Sequence, residues 1–114
     1  MSMYYEGIGQ TVATFAAGSG VKEGMVCKLS ANGAVAVCSA ADPFHGMALH
    51  VDQAGAAVVL RGLVTVSYTG TTAPSVGLNT LTADGAGGVT VAQSGQSILA
   101  VHVDTTAKTV TILL

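Results

Sequence analysis

From Gln10 onward the chain is cut into short pieces by turn-forming residues, and this punctuation limits the fold more than any other feature. The breaks are AGSG (17–20), Ala31-Asn32-Gly33, Asp42-Pro43, DQAG (52–55), a loop through Thr71 to Ser75, ADGAGG (83–88) and TTA (105–107). Gly, Asn, Asp and Pro at such points supply the backbone conformations that tight turns need. Between them lie QTVATFA (10–16), GMVCKLS (24–30), AVAVCS (34–39), FHGMALHV (44–51), AAVVLRGLVTVSYTG (56–70), GLNTLTA (77–83), VTVAQ (89–93), SILAVHVD (97–104) and KTVTILL (108–114). These runs are rich in Val and Thr and show no helical period, so they read as strands.

The pattern predicts an all-β fold of seven to nine short strands, closed as a compact barrel or packed as a sandwich. Half of the residues are apolar but only 4% are aromatic, with no Trp, so Ala, Val and Leu must fill the core. Gly62 interrupts the longest run, and a bulge or bend is expected there. No sequence repeat and no linker stand out. Residues 10–114 read as a single β-domain, and residues 1–9 as an N-terminal arm. On that arm the pair Tyr4-Tyr5 is either a contact element or part of a disordered end; the residues leave both readings open.

The two cysteines, Cys27 and Cys38, flank the turn at Ala31-Asn32-Gly33. A two-residue Asn32-Gly33 loop would set Cys27 opposite Cys38. A three-residue loop with Gly33 in the left-handed region shifts the pairing by one residue. Cys27 and Leu29 then face Val35 and Val37, while Lys28 and Ser30 lie with Ala34, Ala36 and Cys38. The second register separates apolar from polar side chains far better, and a one-residue slip is costly wherever one face is buried. It puts the sulfurs on opposite sides of the sheet, out of reach of a disulfide. The expectation is a reduced Cys27 in the core and a reducing compartment.

Charge is scarce. Only 9% of residues are Asp, Glu, Lys or Arg, against roughly 25% for an ordinary soluble domain, and the net charge is −2. Ser, Thr, Asn and Gln could keep such a surface wet, but the favoured reading is that assembly covers much of it, because interface cores are depleted in charge. Four scattered basic residues give no footprint for nucleic acid. The uncharged stretch 62–83 carries too many Thr, Ser, Asn and Pro residues for a membrane helix. MSMYYEGIGQ has neither the basic nor the apolar region of a secretory signal.

Acid–base or metal chemistry would have to come from His45, His50 and His102 with Asp42, Asp52 and Asp104. His45 and His50 are five apart on an expected strand, which sends them to opposite faces. There is no C-x-x-C or H-E-x-x-H spacing, and nothing near Cys27 makes it a nucleophile. GAGG after Asp84 lacks the Lys-Ser/Thr of a phosphate loop and a following helix. Ordinary histidines and turn glycines are expected, with no catalytic residue, metal or cofactor. Arg61 is expected at the surface.

Three stretches then point to a family: GSGVKEGMVCKLSANGAVAVCSAAD, FHGMALHVDQAGAAVVLRGLVTV and ILAVHVDTTAKTVTILL. A hairpin (GMVCKLSANGAVAV), a short strand opening on Gly (GMAL) and a Val-rich strand broken by Gly (VVLRGLVTV) follow in that order. From about Gly9 to Leu114 this resembles the small capsid cement, or head decoration, proteins of tailed bacteriophages, including the lambda-type proteins. The resemblance implies a tulip-like β-barrel, made in the host cytoplasm, that binds as a homotrimer to the outside of the virion. There it clamps neighbouring major capsid protein subunits, with residues 1–9 as an arm that adds to a capsid strand. The alternative is a non-enzymatic surface module for host attachment or carbohydrate, which would need a concave site built from Phe15, Phe44 and the tyrosines.

Overall fold

The structure, a computed structural model, describes residues 10–114; the arm with Tyr4 and Tyr5 lies outside the described residues. Residues 10–114 form ten strands and no helix: β1 (Thr11–Ala17), β2 (Val26–Ala31), β3 (Ala34–Val37), β4 (Gly46–Asp52), β5 (Gly55–Arg61), β6 (Leu63–Thr69), β7 (Gly77–Ala83), β8 (Val89–Val91), β9 (Gln96–Asp104) and β10 (Thr109–Leu113). Nine runs become ten strands because the bend expected at Gly62 is a full crossing. β5 ends one sheet at Arg61, and β6 opens another at Leu63.

Each sheet closes on itself, in the orders β1-β3-β2-β4-β5 and β10-β6-β8-β7-β9. Closure removes the free edges that uncharged strands would otherwise present. The two barrels share one topology. The parallel pair β1–β3 corresponds to β6–β8, the hairpin β2–β3 to β7–β8, and β4–β5 to β9–β10. The likeness reaches single residues. Between β4 and β5 the register shifts between Ala48 and His50, and between β9 and β10 it shifts opposite Ala100 and His102. Ala48-Leu49-His50-Val51-Asp52 and Ala100-Val101-His102-Val103-Asp104 therefore bulge at the same point. Asp52 then accepts a bond from the Ala54 N–H at 2.8 Å, as Asp104 does from Thr106 at 3.0 Å. The chain thus repeats one five-stranded topology twice, a repeat of structure where the sequence shows none.

The β2–β3 hairpin has the expected register but not the expected three-residue loop: Ala31 pairs with Ala34 across a two-residue Asn32-Gly33 turn, and a register shift at Ser30 supplies the one-residue offset. Cys27 pairs with Val37, Lys28 with Ala36 and Leu29 with Val35, and Gly33 has φ 70°. Both cysteines are free and buried. Cys27 lies inside the first barrel with Val21, Val35, Ala48, Ala56 and Val58. A larger cluster joins Val26, Phe44, Met47 and Val59 of the first barrel to the interior of the second, including Tyr68, Leu81 and Ile112. Hydrogen bonds cross the same seam. The Gln96 side chain accepts from the Phe44 N–H at 2.8 Å and donates to the Phe44 carbonyl at 2.9 Å. Ala41 N–H donates to the Ala83 carbonyl, and Val26 N–H to that of Gly87.

Candidate functional site

The side chains with reactive potential are held apart. His45 precedes β4, where its Nδ1 accepts the Leu29 N–H at 2.9 Å. Asp42 receives the Lys28 ammonium at 2.7 Å and the Ser39 N–H at 2.9 Å, and these bonds hold its carboxyl below the usual range. His50 is exposed between Glu23 (3.0 Å) and Asp52 (3.2 Å). The Ala54 N–H, followed by His50, pulls the Asp52 carboxyl down. Asp104 is lowered by the N–H groups of Ala107 and Thr106. His50 and His102 occupy matching places on different barrels. Among the described residues no three His, Cys, Asp or Glu side chains gather as a metal site. Burial, and secondarily Cys38, pushes the Cys27 thiol up to about 11, which disfavours the reactive thiolate.

Among the described residues the aromatic side chains form no concave platform either. Phe44 and Tyr68 are in the core, and Phe15 packs half-buried against the interior of the first barrel. No helix of the described residues is long and apolar enough to cross a membrane.

What the surface does offer is apolar. Leu63 pairs with Leu113, Leu113 with Leu99, and Leu99 with Leu78. Directly paired residues share a face, and their neighbours along the strands (Val64, Ile112, Ile98 and Ala100) point into the core. The four leucines therefore form one outward row across four strands of the second barrel, roughly 15 Å long at the usual strand spacing. Leu78 is 72% exposed, Leu113 44% and Leu99 38%. Val76, just before β7, extends the patch. Leu63 is half-buried; covering what remains exposed would yield about 1–2 kcal/mol at Leu78 and about 1 kcal/mol or less at each of the others. At the Leu63 end the row meets a groove of about 300 Å³ between the barrels, lined by Gln10, Met47, Leu49, Leu63, Val64 and Thr65.

Sequence reading missed this row because its members come from β6, β7, β9 and β10, and only strand pairing aligns them. Comparison with protein-family models and with curated proteins finds no match to this chain.

Proposed function

We propose that this protein is a structural assembly subunit, a head decoration (capsid cement) protein of a tailed bacteriophage. It binds the outside of the capsid, in a trimer, and clamps neighbouring major capsid subunits. The observation that carries the assembly reading is the exposed leucine row on a chain with so little charge. Contiguous exposed apolar surface on a soluble domain marks a place of contact. The capsid and the trimer come from the resemblance in sequence order and composition. Residues 1–9, with Tyr4 and Tyr5, are the segment proposed to add to a capsid strand. β1 begins at Thr11 and pairs with β5 through Thr11 and Arg61, beside the seam of the two barrels. Many such clamps on a symmetric shell stabilise it through multivalency.

The test is binding of the purified chain to expanded, undecorated capsids of the phage that encodes it. Saturable binding that raises the temperature of capsid disruption supports the proposal. Absence of binding moves the weight to a free-standing surface module.

A further inference from the structure

The pair that turns the β2–β3 hairpin is also chemically labile. Asn32 and Gly33 stand exposed at its tip. Gly33 has φ 70°, and a Cβ built there would meet nothing within 4 Å, so the space around the pair is open. Glycine suits the turn because it adopts this conformation without strain. Having no side chain, it also leaves its own N–H uncovered. Among the described residues no partner holds the Asn32 side-chain amide or the Gly33 N–H.

The comparable positions elsewhere are tied down. The chain's other asparagine, Asn79, accepts the Ser75 N–H at 3.0 Å and donates to the Ser75 and Gly77 carbonyls at 2.7 and 3.0 Å. Its follower is Thr80, which pairs with Ser97 in the β7–β9 ladder. At Asp84-Gly85 the carboxylate accepts the Ala86 and Gly88 N–H groups and the Thr69 hydroxyl. Gly85 itself is packed, with a Cβ there lying 3.0 Å from the Ala40 nitrogen.

We propose that Asn32 is a site of spontaneous covalent modification in the folded protein, where the Gly33 nitrogen attacks the Asn32 side-chain carbonyl and ammonia leaves. Hydroxide takes the Gly33 proton, the bond from Gly33 N to Asn32 Cγ forms, and the Cγ–Nδ2 bond breaks as water protonates the departing nitrogen. Water then opens the cyclic imide at either carbonyl. One opening leaves aspartate. The other leaves isoaspartate, whose backbone runs through Cβ and Cγ and is longer by one carbon. Water is consumed, ammonia is released, and nothing is oxidised or reduced.

Both products add a negative charge to a chain whose net charge is −2. Isoaspartate also displaces Gly33, whose carbonyl accepts the Ala16 N–H at 2.8 Å. That bond adjoins the parallel pairing of β1 with β3, which holds only at Ala16–Ala34 and Ala17–Val35 and helps close the first barrel. The modification therefore loosens a joint made of very few bonds.

The test incubates the full chain in mildly alkaline heavy-oxygen water, folded in one sample and unfolded by guanidinium chloride in another. Peptide mass spectrometry follows each asparagine. In the folded chain Asn32 should take up the heavy oxygen, as aspartate and isoaspartate, within about tenfold of its rate in the unfolded chain, while Asn79 keeps its amide. Asn32→Gln, which would need a larger ring, should remove the new acidic species on ion exchange and leave the circular dichroism spectrum unchanged. In the isoaspartate fraction the Ala16 amide should exchange its hydrogen faster than in fresh protein. A folded chain in which Asn32 reacts more than about tenfold slower than in the unfolded one overturns the proposal, because the turn would then have to open first. Loss of the Asn79 amide ahead of that of Asn32 overturns it too. An isoaspartate fraction whose Ala16 exchange is unchanged overturns the loosening of β1.

Discussion

Cys27 shows how much one position depends on its surroundings. Its neighbours are apolar, and the only polar atom its thiol reaches is the Gly46 carbonyl at 3.7 Å. Desolvation favours the neutral thiol. Below about pH 9 the group is protonated in both the folded and the unfolded chain, and it contributes no pH dependence. Between there and about 11 only the unfolded chain ionises, so stability falls as pH rises through that window. The expected loss from Cys27 is about 2 kcal/mol, read as a lower denaturation midpoint at pH 11 than at pH 8 that Cys27→Ala reduces, while Cys38, also raised by burial, keeps a part of it. In the same way, native protein should leave Cys27 unmodified by a thiol reagent until it unfolds. Asp42, Asp52 and Asp104 work in the opposite sense. Their folded carboxyls are depressed, so what they contribute is present above about pH 4 and is lost as pH falls below it.

At the scale of elements, Gly62 and Gln96 decide how the barrels meet. Gly62 has φ +127°, and a Cβ there would lie 2.9 Å from Gln10 Cγ and 3.2 Å from its Cα. Gly62→Ala should cost about 1–3 kcal/mol in chemical denaturation. Gln96 satisfies both backbone groups of Phe44, so Gln96→Ala should cost about 1–3 kcal/mol, with Gln96→Glu recovering only part. The strands themselves were legible in the sequence because alternation and turn residues are local signals. β7 falls at 77–83 as the run GLNTLTA does, and the hairpin register follows from sorting Lys28 away from Leu29. The repeated topology was not legible by the same means. Strand pairing preserves it, while the loops between Asp52 and Gly55 and between Asp104 and Thr109 differ in length and break any fixed period. Only the segments ending His50-Val51-Asp52 and His102-Val103-Asp104 keep the likeness visible.

Residues 10–114 form two closed barrels, the first with an interior cluster of its own and a larger cluster joining it to the second, and this sets both cooperativity and surface. The larger cluster runs from Val26 and Met47 through to Leu81 and Ile112, so loss of the second barrel's packing also strips the cover from the first barrel's Val26, Met47 and Val59. Thermal unfolding followed by calorimetry should show one transition with equal calorimetric and van't Hoff enthalpies; two separated transitions would mean the barrels unfold independently. Closure of both sheets leaves faces, not edges, for association, and one face of the second barrel carries the leucine row. Charge scarcity was readable from composition, whereas the place where it matters depends on pairings between residues as distant as Leu63 and Leu113. The most direct measurement of the assembly account is co-sedimentation of the full chain, and of a chain lacking residues 1–9, with expanded undecorated capsids. The account predicts that the full chain pellets with the capsids to a saturating, symmetry-related stoichiometry and that the shortened chain stays in the supernatant. A full chain that stays in the supernatant at every concentration would contradict it.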